Sequence, residues 1–452
     1  MSIDVNPYLS GNCAPVAEEV TQTDLAVEGR IPEALEGRWL RNGPNPRGEV
    51  DPATHHWFLG DGMVHGVRLR GGRAEWYRNR WVRTDAMAAE LGEEPPGGPA
   101  FGERDFGANT NVGGWAGATW AMVEAGATPV ELSYELDTVG RNDFFGTLPG
   151  AFSAHPKFDP HARELHAMCY AWPDWLEEMK IQYVVVGDDG RVSKTVDIAV
   201  PGMVMVHDMS LTDQYALVYD LPVTVDIELA MQERFPFRWN PDYEPRVGLL
   251  PRDGGAGDIV WCEAPQSYVF HPLNAYDTDD GRVVVDLCRY ESMFVDDLRG
   301  PFGDSLPTLD RWEIDPVAAK VIETRIDDRP QEFPRHNNAV GGRKHRYGYT
   351  SSVDMSTPGQ IHGPINKIDF DTGAVTSHDF GPGIGGAEPI FVADPEARAE
   401  DDGWLLTVTY DPAHDSSALQ ILDARDVSAP AVASIGLPQR VPFGFHGNWV
   451  AD

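Results

Sequence analysis

Positive charge is what this 452-residue sequence most lacks: 36 Lys and Arg stand against 71 Asp and Glu, a formal charge of −35 at pH 7 with histidine neutral. Such a surface repels phosphate backbones and anionic membrane faces, which excludes nucleic acid as a partner and disfavours anionic small substrates. The same charge keeps a protein soluble, and that is its simplest explanation. Cysteine is scarce as well. Cys13, Cys169, Cys262 and Cys288 are scattered without a CxxC pair, so no structural zinc site or thioredoxin-like motif is written, and a reduced, cytoplasmic setting is expected. Apolar runs never reach the length of about 18 residues needed to span a bilayer, and the opening MSIDVNPYLSGN has no apolar signal-peptide core. Neither a spanning helix nor a signal peptide is expected. Also missing are GxxxxGK[ST], GxSxG and HExxH, which leaves phosphate cradles, α/β-hydrolase chemistry and zincin chemistry without support. GPGIGG (Gly381 to Gly386) formally matches GxGxxG, but it holds Pro382 and leads into the strand-like EPIFV instead of a helix, so it reads as a structural loop.

What is present is turn-rich β sequence. With 42% hydrophobic residues, 46 Gly and 36 Pro, the chain has a globular composition and frequent turns. Short β-branched or aromatic runs flank tight glycine turns at Gly71 and Gly72, Asp189 and Gly190, Asp280 and Gly281, and Gly373, while Asp402 and Gly403 lead into WLLTVTY. Helical signal is confined to TDAMAAEL, with Thr84 or Asp85 as N-cap and Gly92 as stop, and DIELAMQERF from Asp226. GEEPPGGPAFGE (Gly92 to Glu103) reads as a long loop. No linker or low-complexity tract divides the chain, so residues 1–452 are expected to form a single all-β domain: a sandwich pair, a large barrel or a β-propeller.

Four of the fourteen histidines sit in apolar, strand-compatible runs: His155 in FSAHPKFDP, His207 in PGMVMVHDMSL, His271 in SYVFHPLNAYD and His446 in VPFGFHGNW. A buried imidazole needs partners for both ring nitrogens, and a metal on one with an acceptor on the other meets that need. Their separations are 52, 64 and 175 residues, against a blade length of about 65 if seven blades share the chain. Equivalent positions on different blades would converge on a propeller axis. Neutral imidazoles leave a divalent charge uncompensated, so carboxylates are expected nearby, and Glu124, Glu332 and Glu388 occur in apolar contexts. Of the others, His65 and His166 read as structural, while His55, His56, His161, His336, His345, His362, His378 and His414 have charged, polar or turn-forming neighbours and read as solvated.

These segments resemble the carotenoid cleavage oxygenases, the non-haem iron family that also contains lignostilbene dioxygenases. RWLRNGPNP (Arg38 to Pro46) and WFLGDGMVHG from Trp57 resemble the N-terminal signature; SAHPKFDP, MVHD, FHPLNAYD and FHGNW resemble four histidine motifs, and EFPR and EPIFV two later glutamate motifs. The resemblance implies a seven-bladed β-propeller with loops and short helices capping one face. It further implies one Fe(2+) per chain held by His155, His207, His271 and His446, with Glu124, Glu332 and Glu388 hydrogen-bonded to ligand histidines. One imidazole is then left without a glutamate. The implied reaction uses dioxygen and no organic cosubstrate to cleave a carbon–carbon double bond into aldehyde or ketone products. No side-chain general acid or base is evident.

The stilbene-cleaving branch resembles this chain around RNRWVRT (Arg78 to Thr84) but carries a lysine immediately before the first glutamate, where this sequence has Val123. Without an ammonium to stabilise a phenolate, the wall is more apolar and favours a neutral polyene, so a carotenoid or apocarotenoid substrate with retinal-type products is expected. Tyr170, Trp172, Trp175, Phe270, Phe445 and Trp449 are candidates to line its tunnel. A water-insoluble substrate also implies peripheral membrane contact through an apolar patch, since the net charge disfavours electrostatic attachment. The alternatives are a stilbene-cleaving dioxygenase, an isomerase or hydrolase on the same iron scaffold, and a non-catalytic binding propeller. Oligomeric state is not readable from the sequence.

Overall fold

The computed structural model describes residues 6–103, 105, 107–171, 178–232, 234–356 and 361–452. It is all-β with few and short helices, in a propeller-like arrangement of antiparallel sheets. The glycine turns named above close hairpins. Gly62–Arg70 pairs with Arg73–Trp81, Lys180–Val186 with Val192–Ala199, Tyr268–Asp277 with Val283–Tyr290, and His362–Asp369 with Ala374–His378. Gly190, Gly281 and Gly373 have φ of 76°, 83° and 72°, the left-handed geometry such turns require and glycine adopts without steric cost.

Three four-stranded sheets are built from consecutive hairpins, over 111–141, 157–199 and 331–378. An eight-stranded sheet contains two such runs, 209–263 and 268–327, joined by one parallel pair, Glu263 to Lys320. The chain ends close the ring: Gly447–Ala451 pairs antiparallel with Gly37–Pro44, and Val27–Gly29 with Ala433–Gly436. Burial follows position. Tyr268–Asp277, near the axis, is buried along nearly its whole length, polar residues included, whereas the peripheral Lys320–Asp327 has no buried residue. The first strands of several sheets contact one another: Lys157–Asp159 touches Met209–Leu211, which touches Tyr268–Asp277, which touches Gln331–Arg335. Those edges carry or follow His155, His207 and His271, while His446 directly precedes the inner edge strand Gly447–Ala451, which touches Asn111–Trp115.

Two short α-helices interrupt the hairpins where their caps specify. Thr84 accepts a hydrogen bond from the Met87 N–H at the start of Asp85–Leu91, and Gly92 ends that helix at φ 72°. Asp226 accepts from the Glu228 and Leu229 N–H groups at the start of Ile227–Met231. No helix among the described residues is long and apolar enough to cross a membrane.

Candidate metal centre

Each singled-out histidine stands on or beside an inner strand. His155 precedes Lys157–Asp159, His207 precedes Met209–Leu211, His271 lies within Tyr268–Asp277, and His446 precedes Gly447–Ala451. The inner strands are bulged at two places beside the centre: the register shifts between Val269 and Pro272 around His271, and between Glu332 and Arg335 in the neighbouring strand that carries Glu332. A bulge re-aims side chains that regular alternation would send elsewhere. Phe333, inside the second, takes φ 54°, a conformation a bulky residue rarely adopts.

The four imidazoles are buried, and one ligand atom from each lies within 4.8 Å of the others. All three glutamates are brought to them. His207 Nδ1 lies 3.0 Å from Glu124 Oε1, His271 Nδ1 2.6 Å from Glu332 Oε2, and His446 Nδ1 2.8 Å from Glu388 Oε1. A carboxylate on Nδ1 makes that nitrogen the donor and leaves the lone pair on Nε2. His207 Nε2 and His271 Nε2 then face each other at 3.2 Å as two acceptors, and His155 Nε2 is buried without a hydrogen-bond partner. A cation between these atoms satisfies all three. Burial holds His155 and His271 well below the ordinary histidine range, and His446 at about 3, so these three imidazoles are in the neutral form a metal requires.

Several groups around the centre are not singled out by the sequence reading. Arg335 Nε donates to Glu388 Oε1 at 2.9 Å, and Lys157 Nζ to Asp208 Oδ2 at 2.7 Å. Tyr290 donates its hydroxyl to Glu332 Oε1 at 3.1 Å, and the Phe333 N–H donates to Glu332 Oε2. Burial pushes Glu332 up to about 8, while Arg335 and His446 hold Glu388 well below the usual carboxylate range against the upward push of burial. Of the four carboxylates, Glu388 and Asp208 are each offset by a paired cation; Glu124 and Glu332 have no Lys or Arg partner among the described residues. A divalent ion at the histidines would supply the countercharge these two lack.

Two cavities meet at the histidines. One, of about 500 Å³, is walled mainly by apolar side chains, among them Trp57, Phe58, Val123, Phe235, Phe270 and Phe445, with His207, His271 and His446 at its base. The other, of about 380 Å³, is polar and reaches His155, His271 and His446 past Lys157, Asp208, Arg335 and His336. Tyr170, Phe270 and Phe445 line the apolar cavity as expected; Trp449 instead borders the polar one, and Trp172 and Trp175 lie outside the described residues. Four histidines read as solvated are buried: His55, His56, His345 and His378. His56 stacks on Phe235 with ring centroids 3.7 Å apart, and His345 Nε2 lies 3.1 Å from Asp286. Polar neighbours in sequence do not report what a distant segment packs on top. His161 and His414 are exposed, His336 borders the polar cavity, and the side chain of His362 lies outside the described residues. His65 and His166 are buried, each with Nδ1 against a tyrosine hydroxyl, of Tyr77 and Tyr183.

Residues 13–451 match the family model described as retinal pigment epithelial membrane protein. The carotenoid cleavage oxygenase of Mycobacterium tuberculosis is 46% identical, over 98% of this chain and 97% of its own length. The apocarotenoid-15,15'-oxygenase of Synechocystis is 31% identical, over 94% and 92%. Among solved structures, cobalt-substituted Synechocystis ACO superposes with a TM-score of 0.85 at 30% identity, covering 97% of both chains. A Pseudomonas brassicacearum lignostilbene dioxygenase superposes at 0.87 with 27% identity and full coverage of both. The chain belongs to the carotenoid cleavage oxygenase family, the family of the retinal pigment epithelial membrane protein.

Proposed function

We propose that the protein is an Fe(II)-dependent oxygenase that cleaves a carbon–carbon double bond of a carotenoid or apocarotenoid with dioxygen, giving aldehyde or ketone products. The observation that carries this reading is the convergence of four buried imidazoles, three of which line an apolar cavity of about 500 Å³. His155, His207, His271 and His446 would hold the iron, one per chain; Glu124, Glu332 and Glu388 fix the tautomer and direction of three of them. A ferrous ion there supplies the dioxygen chemistry, and the double bond supplies the electrons. The chain's own part is to seat the polyene between aromatic walls, hold the bond to be cut near the histidines and keep bulk water away. In the architecture supporting this site, the eight-stranded sheet counts as two blades across its single parallel bridge, for a total of seven around the axis.

Val123 favours polyene over hydroxystilbene. It lies in the cavity wall next to Glu124, and it offers no charge to stabilise a phenolate. Leu59, Ile227 and Met231 are 40%, 47% and 82% exposed, and Leu59 and Ala230 border the apolar cavity. We read this patch as the peripheral membrane contact through which a water-insoluble substrate enters. Incubation with an apocarotenal and separately with a hydroxystilbene, with products identified by mass spectrometry, tests the reading. Two carbonyl fragments from the apocarotenal are expected. Turnover of the stilbene alone, or an isomer retaining every carbon, would contradict it.

A further inference from the structure

Three of the four imidazoles have a glutamate on Nδ1; His155 does not. Its Nδ1 instead faces Asp208 Oδ2 at 3.9 Å, too long for a direct hydrogen bond but a span that one bridging water covers. Both residues line the polar cavity, so water reaches the gap. Asp208 is fixed on its other sides: Oδ1 accepts the Met209 N–H at 2.6 Å, and Oδ2 accepts Lys157 Nζ at 2.7 Å. Its side chain is 2% exposed, and a carboxylate so buried needs the countercharge that Lys157 brings. With two contacts made out of about four a carboxylate accepts, acceptor capacity remains for the water.

Resting on the iron-centre reading above, we infer that Asp208, held in place by Lys157, is the positioning residue of the fourth histidine, acting on His155 Nδ1 through a single bridging water. The arrangement makes His155 unlike its partners. Its acceptor, besides being paired with a cation as Glu388 is, acts at one remove, so His155 is the least electron-rich and most loosely oriented of the four donors. The pair also connects the centre to the polar cavity, on the side away from the substrate walls.

The test uses the full chain, loaded anaerobically with ferrous ion and separately with cobalt(II), in wild type, Asp208→Asn and Asp208→Asn/Lys157→Met. The double variant keeps the net charge of the wild type, which separates lost charge from lost positioning. Metal affinity is read by chelator competition and ligand geometry by the cobalt visible spectrum. Metal affinity is expected to fall about 10- to 100-fold in both variants, with an altered cobalt spectrum and an unchanged KM for the polyene. Wild-type affinity and spectrum in the double variant would overturn the inference, reducing Asp208 to a countercharge for Lys157. Variants that unfold more easily but bind metal normally once folded would overturn it too. If the wild type itself binds neither metal, the iron reading fails rather than this one.

Discussion

At the residue scale the centre consists of acceptors aimed at one point, and each aim depends on the carboxylate behind it. Replacing His271 by Ala removes a proposed ligand and leaves Glu332 buried with no imidazole N–H to donate to it, so iron retention and turnover are expected to vanish together. Stoichiometric iron with normal turnover in that variant would contradict the four-histidine assignment. Glu332→Gln keeps the size and one hydrogen bond but loses the charge; a fall of about 10- to 100-fold in metal affinity or activity is expected from chelator competition and initial rates. The seven residues singled out from the sequence meet in space because each stands in an apolar run where an ionisable group needs a reason to be. Asp208, Lys157, Arg335 and Tyr290 were not legible in this way. Nothing in the local sequence says that Arg335 reaches Glu388, 53 positions away, or that Tyr290 reaches Glu332. The burial of His56 and His345 escaped notice for the same reason, since Phe235 and Asp286 are remote in the chain.

At the scale of elements, the hairpins and both helices were legible because their determinants are local: glycines at positive φ, and Thr84 and Asp226 within reach of the N–H groups they cap. Pairings between distant segments were not. The strand Gly447–Ala451 shows this best, for its partner Gly37–Pro44 lies at the other end of the chain. That strand also follows directly on His446, and the Gly447 N–H donates to Glu388 Oε2 at 2.9 Å. Deleting residues 447–452 should therefore open the ring and release the metal in one step, measured as loss of bound iron together with a lowered, less cooperative thermal transition. A truncated chain that melts like the wild type and keeps its iron would show that the strand closes nothing.

At the scale of the whole molecule, the sheets bring an apolar cavity and a polar one together at His271 and His446, an arrangement no local pattern encodes. Burial on this scale also sets the response to acid. His65 and His166 are held down to about 3 by burial, against about 6.5 in an unfolded chain. Above about pH 6.5 both states are neutral and neither group affects stability; below it the unfolded chain takes up protons that the folded one refuses. Stability is thus lost as pH falls, until it levels near the folded values, and each such group costs about 2 kcal/mol by about pH 5. Urea midpoints at about pH 7 and about pH 5 should draw closer together in His65→Gln than in wild type; an unchanged gap would remove His65 from the account. The central claim is that four buried histidines hold an iron that cleaves a polyene, and its most direct test is anaerobic purification with metal analysis, then addition of an apocarotenal under air while absorbance and oxygen uptake are recorded. The expected result is about one iron per chain, with iron-dependent bleaching of the polyene band and consumption of oxygen. A folded protein that retains no iron when supplied with it, or that bleaches the polyene equally well without it, would contradict the claim.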